Sequence, residues 1–129
     1  MDINSKLMEK GIVLPDAPPP AANYIPFVKV EKLVFISGQV SQNDKGFIKG
    51  VLGEDLNVEQ GYDAARYCAI SLLAQLKNAI NGDLNKMARV VKLGGFVNSA
   101  PGFTEQPSVI NGASDLLVEL FGERGRHAR

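Results

Sequence analysis

The feature that most constrains the fold is an unbroken amphipathic segment between residues 57 and 80. Its apolar residues recur every three or four positions, at Val58, Tyr62, Ala65, Ala69, Leu72, Leu76 and Ile80. This period matches one face of an α-helix. Asn57 followed three residues later by Gln60 resembles a capping box, which marks a helix start. Cys68 and Leu73 widen the apolar stripe, so we expect this helix to lie flat on a β-sheet.

Strand patterns lie on both sides of this helix. Residues 27–40, FVKVEKLVFISGQV, predict two antiparallel strands joined by a turn at 31–32. The sequence NDKG at 43–46 predicts a second turn with a short strand after it, around Phe47. Residues 88–99, ARVVKLGGFVNS, predict another strand. Its paired Gly94 and Gly95 are typical of a bulge or of a close backbone approach.

Two further helices are predicted near the ends of the chain. Residues 2–10 have helical spacing before Gly11, and residues 108–122 place an apolar stripe before Gly122. A proline-rich arm separates the first helix from the strands and completes an N-terminal region of residues 1–26. The element order predicts one α+β domain over residues 1–129, a mixed β-sheet with two helices packed on one face.

Composition narrows the classes of function. Fourteen Lys and Arg residues balance fourteen Asp and Glu residues, so no net charge attracts a nucleic acid. One His and one Cys do not suffice for the usual zinc sites, and no glycine-rich phosphate loop opens a helix, so we expect neither a metal nor a cofactor. No segment approaches the roughly 20 apolar residues of a membrane span, and the N-terminus lacks a secretory signal pattern. We therefore expect a cytoplasmic protein without a membrane partner.

Three places could carry chemistry. Ser37 and Gly38 end a buried strand pattern and expose a hydroxyl and bare backbone, although a plain strand-to-loop transition explains them equally well. Asn111 and the glycine after it are poor helix formers early in an apolar helix, where the Asn either binds a ligand or marks the first turn. The terminal GERGRHAR carries guanidinium groups suited to a carboxylate or a phosphate, or is a solvated charged tail. We interpret His127 as a solvated loop residue and Cys68 as a packed thiol.

Several motifs together resemble one known family. The segments YIPFVKVEKLVFISGQV, ARVVKLGGFVNSAPGF and VINGASDLLVELFGERGRHAR are similar to those of the RidA/YjgF family, some of whose members are named endoribonuclease L-PSP. The VNSAPGF and VINGASDLL motifs resemble a longer subgroup of it. The resemblance implies the chorismate mutase-like fold, a homotrimer and clefts between subunits. It also implies two further strands after Arg129, one with a glutamate that positions water, so we expect these C-terminal strands to be missing from this chain.

The resemblance also implies an activity, the hydrolysis of reactive 2-imino acids to 2-keto acids and ammonia. By position, Arg129 matches the arginine that grips the substrate carboxylate and is the catalytic candidate. Ser37 and Gly38 match cleft positions, and Asn111 matches a helix asparagine near the ligand.

Two aromatic positions complete the implied substrate site. Phe96 lies in the strand expected to hold the polar head of the substrate, and Phe27 stands where deaminases commonly have tyrosine. Because Phe27 lacks the phenol, a non-catalytic trimer that binds small carboxylates stays open as an alternative. Endoribonuclease activity is a third reading, suggested by one of the family's names.

Overall fold

The structure, a computed structural model, describes residues 2–129 as an α+β protein, and this part of the prediction is confirmed. Its helices and strands, numbered in chain order, are α1 (Ile3–Glu9), β1 (Phe27–Val30), β2 (Leu33–Ile36), β3 (Gln42–Asn43), β4 (Gly46–Phe47), α2 (Val58–Ala79) and α3 (Gln106–Phe121). Two short 3-10 turns follow α2 and α3, at Leu84–Lys86 and Gly122–Gly125.

The chain divides into two compact units. The first contains the chain up to Gln39 together with Ile70–Ala88, and the second contains Val40–Ala69 together with Arg89–Arg129. The boundary falls within α2, so each half of that helix belongs to a different unit.

In the first unit, β1 and β2 form the predicted antiparallel hairpin. Their register runs from Phe27 opposite Ile36 to Val30 opposite Leu33. Glu31 has a φ of 54°, the left-handed conformation that a turn this tight uses. The expected turn at 31–32 is therefore confirmed.

The predicted N-terminal helix is also present in this unit. α1 begins after Asp2, whose carboxylate accepts a hydrogen bond of 2.8 Å from the backbone N–H of Ser5. This hydrogen bond holds the pKa of Asp2 below its usual value. Ile3 and Leu7 are buried, and Ile3 N donates to Asn85 Oδ1 over 2.9 Å.

The proline-rich arm is fixed to α2 by one buried side chain. Gln75 is 1% exposed, and its Nε2 donates to the carbonyl of Pro18 over 2.8 Å. A segment with so many prolines has few backbone donors of its own, so a side-chain donor is an effective way to hold it.

In the second unit, the start of α2 carries the predicted capping box. Asn57 N donates to Gln60 Oε1 over 2.9 Å, and Gln60 N donates to Asn57 Oδ1 over 2.8 Å. The reciprocal pair satisfies two backbone donors that a helix start leaves free. The short hairpin β3–β4 is present as well, with Asn43 Oδ1 accepting from Lys45 N over 2.9 Å in its turn.

α3 packs against the first half of α2. Its buried residues are Val109, Gly112, Ala113, Leu116, Leu117, Leu120 and Phe121. At Gly112 the two backbones are so close that a Cβ would overlap the carbonyl of Tyr62. The helix begins two residues before the predicted start, because Pro107 is well suited to the first turn. It ends at the predicted Gly122, whose φ is 61°.

The predicted continuous strand over residues 88–99 is wrong. This segment makes only isolated parallel bridges, between Lys92 and Ala128 and between Leu52 and Ser99. The bridging partner of this segment is Ala128 of the C-terminal tail at one end and Leu52 at the other. Pairing with two short partners does not build a ladder. Within residues 2–129, no helix is long and apolar enough to cross a membrane.

Candidate functional site

The side chain of Arg129 lies along one face of α3. Its Nη1 donates to Asn111 Oδ1 over 2.9 Å and to Ser114 Oγ over 3.2 Å, and its Nη2 donates to the carbonyl of Pro107 over 3.1 Å. Residues spaced by four and then three positions share one helix face, so the three acceptors form a row. The exposed guanidinium of Arg129 is therefore held at both of its terminal nitrogens.

The backbone before Arg129 is fixed to the extended segment that the sequence predicted as a strand. Leu93 N donates to the carbonyl of Ala128 over 2.9 Å, and Ala128 N donates to the carbonyl of Val91 over 3.1 Å. These bonds flank Lys92 in the parallel bridge with Ala128. The tail is thus anchored by main-chain bonds on one side and by the α3 side chains on the other.

His127 is not the solvated loop residue that we expected. It is half-buried, with Nδ1 2.5 Å from the carbonyl oxygen of Gly125 and Nε2 2.8 Å from Ser114 Oγ. The bend that brings it to α3 passes through Gly125, where a Cβ would overlap the backbone carbonyl of Leu117. A glycine at this position allows the tail to approach the helix, and the imidazole then reaches Ser114.

An open pocket of about 320 Å³, here called the Arg129 pocket, lies between this tail and α3. It is lined by Lys92, Leu93, Gly94, Gly95, Phe96, Gln106, Pro107, Ile110 and Arg129. The lining set drawn from the described chain contains two cationic side chains and no acidic one, which suits an anionic ligand. Phe96 projects fully into solvent and presents an apolar ring beside these charges.

A second open pocket, here called the Phe27 pocket, has a volume of about 220 Å³ and lies on the β1–β2 hairpin. It is lined by Ile25, Phe27, Val28, Phe35, Ile36 and Ser37. The hydroxyl of Ser37 donates to the carbonyl of Ile25 over 2.7 Å. Its proton is therefore committed to the chain, while its oxygen can still accept a hydrogen bond.

The sequence-predicted site residues fall into two groups, one in each unit of the chain. Asn111 and Arg129 are in direct contact, and Phe96 lines the Arg129 pocket. Phe27 and Ser37 line the Phe27 pocket. Gly38 is exposed and is not among the lining residues, and apart from its two chain neighbours a Cβ there would meet no atom of the described chain within 4 Å.

Sequence reasoning missed the acceptors that accompany Asn111. Ser114 lies three residues after Asn111 and so on the same helix face, a signal that was available in the helical pattern. The contact of His127 with Ser114 carries no such signal, because it depends on how the tail folds back. The role of the Pro107 carbonyl could not be predicted either, because every residue has a backbone carbonyl and the sequence does not indicate which one accepts a hydrogen bond.

The remaining reactive side chains of the described residues do not form a metal site or a catalytic cluster. Among residues 2–129, no three His, Cys, Asp or Glu side chains are close enough together to hold a metal ion. Cys68 is half-buried on α2, and burial raises the pKa of its thiol. A raised pKa leaves little thiolate near neutrality, which agrees with the interpretation of Cys68 as a packed thiol.

Comparison with known proteins gives a consistent result. A family model described as "YjgF/chorismate mutase-like, putative endoribonuclease" matches residues 4–129. Protein TCP17 of Trypanosoma cruzi is 48% identical in an alignment of 129 positions, which covers 98% of this chain and 80% of TCP17.

Two crystal structures are also similar. One is of "a putative endoribonuclease" from Shewanella oneidensis MR-1, with a TM-score of 0.95 and 36% identity over 100% of this chain and 85% of that one. The other is of the Agrobacterium tumefaciens protein Atu1372, whose function is unknown, with a TM-score of 0.89 and 45% identity over 98% and 77%. The expected chorismate mutase-like fold is thereby confirmed. The chain belongs to the YjgF/chorismate mutase-like family.

Proposed function

We propose that the protein is an imine deaminase that hydrolyses 2-imino acids. In this reaction, a protonated 2-imino acid and one water give the 2-keto acid and an ammonium ion. The water oxygen forms a bond to the C=N carbon, and the C–N bond of the resulting carbinolamine then breaks. Atoms and charge balance without a redox partner.

The observation that carries the proposal is the fixed guanidinium of Arg129 beside a cationic pocket. Its bonds to Asn111, Ser114 and Pro107 hold it in one orientation. A planar guanidinium suits a carboxylate because two parallel N–H donors match the two oxygens. Lys92 adds a second positive charge to the lining of the pocket. The carboxylate shared by 2-imino acids and 2-keto acids is a ligand of this class.

The proposed chemistry asks for positioning more than for a strong base. A protonated imine is already electrophilic, so holding its carboxylate and leaving one face open to water supplies much of the rate gain. The single imidazole of the chain is engaged by Ser114 and by the Gly125 carbonyl. We therefore do not assign His127 the role of general base.

The direct test couples the protein to a pyridoxal phosphate-dependent dehydratase and follows the release of 2-keto acid. The wild-type protein should accelerate the release, and Arg129→Ala should lose most of this effect. Arg129→Lys keeps the charge but not the planar fork, and should retain only part of it. Arg126→Ala is the matched control, because Arg126 is exposed in the same tail and has no described side-chain bond. No acceleration by the wild type, or full activity of Arg129→Ala, would reject the proposal.

We also propose that the protein works as a homotrimer with clefts between subunits, as the family resemblance implies. In its support, β1 and β2 expose Val28, Val30, Leu33 and Phe35 by 47% to 60%. Apolar side chains gathered on a strand pair are typical of a covered surface. Light scattering should give three chains per particle, and Phe35→Lys should reduce this number. Val13→Lys is the control, because Val13 is also exposed, at 88%, but lies outside the hairpin.

A second candidate is a non-catalytic protein that binds small carboxylates. It is favoured by Phe27, whose ring lines the Phe27 pocket without a phenol oxygen for proton transfer or for a bond to water. Calorimetry with 2-ketobutyrate separates the two candidates, because a binder saturates with this ligand yet gives no turnover in the dehydratase assay. Phe27→Tyr adds the hydroxyl and should then raise activity only if the protein is an enzyme.

Endoribonuclease activity is a third candidate, named in the descriptions of the family and of the Shewanella structure. Formal net charge is zero, and the chain has one His, so it lacks the pair of imidazoles that can exchange protons during RNA cleavage. Cleavage that copurifies with the protein through several columns and is lost in Arg129→Ala would support this candidate. Cleavage that separates from the protein would exclude it.

A further inference from the structure

We propose that Ser114 and His127 form a positioning pair that sets the orientation of the Arg129 guanidinium. The pair acts on the anion-binding group of the proposed function and depends on that function only for the identity of the ligand. Its geometry is independent of any substrate. Neither residue needs to touch the ligand, because both act through Arg129.

The hydrogen-bond directions follow from the carbonyl at one end of the chain of contacts. The carbonyl oxygen of Gly125 only accepts, so His127 Nδ1, 2.5 Å away, carries a proton and donates it. In the neutral imidazole, Nε2 is then an acceptor, and it receives the hydroxyl proton of Ser114 over 2.8 Å. The tautomer of His127 is thus assigned by the fold of the tail.

This assignment determines that Ser114 Oγ acts as a hydrogen-bond acceptor for Arg129. A serine inside a helix often turns its hydroxyl proton back to a carbonyl of the preceding turn. Here the proton is directed to His127, and the lone pairs of Ser114 Oγ face Nη1 of Arg129 at 3.2 Å. His127 therefore fixes the acceptor geometry that the guanidinium meets.

The remaining donors of Arg129 are left for a ligand. The bonds to Asn111, Ser114 and Pro107 use three of the five N–H groups of a guanidinium. Within the described chain, Nε–H and one hydrogen of Nη2 have no acceptor. These two donors suit a planar carboxylate if the guanidinium does not rotate. Restraint of that rotation is the task of the pair.

Nitrogen NMR tests the pair without any substrate. Because the chain has a single His, its two ring ¹⁵N shifts are assigned without ambiguity. In the neutral ring they should identify Nδ1 as the protonated nitrogen and Nε2 as the acceptor. A protonated Nε2 in the neutral ring would overturn the proposal.

The guanidinium itself gives a second readout. Rotation about the Cζ–Nε bond of Arg129 should be slow enough to resolve its Nη signals, and Ser114→Ala or His127→Ala should speed it about 5- to 10-fold, as expected for loss of one hydrogen bond. Arg126 in the same spectrum is the internal control and should rotate freely in every variant. Rotation of Arg129 that is already free in the wild type, or unchanged in Ser114→Ala, would contradict the pair.

Ligand binding completes the test. For 2-ketobutyrate as the probe, Ser114→Ala should raise Kd about 5- to 10-fold, while Ser114→Thr, which keeps the hydroxyl, should stay within about 2-fold. The double variant Ser114→Ala with His127→Ala should lose no more than Ser114→Ala alone, because His127 acts through Ser114. Additive losses would reject the pair. If the probe does not bind the wild type, the proposed function fails, and the NMR results still decide the positioning proposal.

Discussion

Gly112 of α3 packs against the main-chain carbonyl of Tyr62 in α2, and the space between them does not admit a side chain. This contact fixes the height and rotation of α3 on α2 at the residue next to Asn111. The row of acceptors that holds Arg129 therefore stands on a helix whose position is set by backbone contact. The sequence NGAS at 111–114 combines both tasks, since Gly112 faces α2 while Asn111 and Ser114 face the tail.

Substituting Gly112→Ala should lower the free energy of unfolding. Alanine is the better helix former by about 1 kcal/mol, so propensity alone would favour the variant. We expect a net loss of stability instead, because the new Cβ would overlap a backbone carbonyl. A carbonyl in a helix cannot move aside as a flexible side chain would. Overpacking of this kind costs typically about 1–3 kcal/mol. Urea denaturation followed by circular dichroism measures the change.

Gly38→Ala serves as the control for this substitution. Apart from the two neighbouring residues, a Cβ at position 38 would meet no atom of the described chain within 4 Å. The stability of that variant should remain within about 0.5 kcal/mol of the wild type, as is usual for an open surface position. If the Gly112→Ala protein is as stable as the Gly38→Ala protein, the prediction is wrong, and α3 moves away from α2 without loss of stability.

The sequence predicts the structural features that depend on residues close together in the chain, and it does not predict those that depend on distant residues. The capping box at Asn57 and Gln60, the hairpin turn at Glu31 and the helix end at Gly122 all depend on residues a few positions apart, and the sequence alone predicts them. The strand predicted over residues 88–99 depends on partners far along the chain. Its β-branched residues indicate extended backbone, but they do not indicate how much of it finds a partner.

The same distinction holds within the candidate site. The resemblance brought Asn111 and Arg129 into one site, and the structure places them in contact. Ser114 could have been predicted from its helical spacing to Asn111. His127 could not, because its burial depends on the close approach of Gly125 to Leu117, which is a matter of tail conformation.

Removing the cap of α2 should weaken the helix start by a predictable amount. Asn57 Oδ1 accepts from Gln60 N over 2.8 Å, and replacing it by alanine leaves that donor to water. Asn57→Ala should therefore lower stability by about 1 kcal/mol in thermal or urea unfolding. Asn78→Ala is the matched control near the other end of the helix, where the side chain is exposed, and it should be neutral or slightly stabilising. Equal effects of the two substitutions would contradict a capping role.

The hydrogen bond from Tyr62 to Asp115 gives the protein a pH-dependent increment of stability. Tyr62 donates to Asp115 Oδ2 over 2.6 Å, and this bond, with burial and the carboxylate charge, raises the pKa of Tyr62 to about 12. In the unfolded chain, tyrosine ionises near pH 10. The increment is therefore fully present below about pH 10 and is lost as the pH rises from there to about 12, because the unfolded state releases its proton first.

Two measurements check this prediction. The ring ¹³C signal of Tyr62 should titrate near the raised pKa, and Asp115→Ala should bring its midpoint down toward about 10. Tyr62→Phe should cost less than about 1 kcal/mol at neutral pH, since the pair is largely open to solvent, and its difference from wild type should shrink above about pH 10. Tyr67→Phe is the control, because the Tyr67 hydroxyl makes no described hydrogen bond. A pH-independent difference would show that the phenol proton is not involved.

A carboxylate introduced next to Arg129 should act as an internal competitor of the ligand. Asn111 Oδ1 lies 2.9 Å from Arg129 Nη1, and Asn111→Asp keeps the shape of the side chain while adding a negative charge. The new ion pair is exposed, so it should change stability by less than about 1 kcal/mol. Its larger effect should be on anion binding, because the ligand carboxylate then meets a partly neutralised guanidinium.

If the introduced carboxylate competes with the ligand for Arg129, the effect of Asn111→Asp should depend on salt concentration. A simple loss of the contact between residue 111 and Arg129 would not have this dependence. For Asn111→Asp, Kd for 2-ketobutyrate should rise about tenfold at low ionic strength, which corresponds to about 1.4 kcal/mol. Asn111→Ala removes the acceptor without adding a charge and should raise Kd less. Added salt screens both the internal pair and the ligand, so the gap between Asn111→Asp and Asn111→Ala should narrow as ionic strength increases toward about 1 M. Calorimetry at several salt concentrations measures both constants, and a gap that does not change with salt would mean that the Asp disturbs the packing of α3 instead of the charge of Arg129.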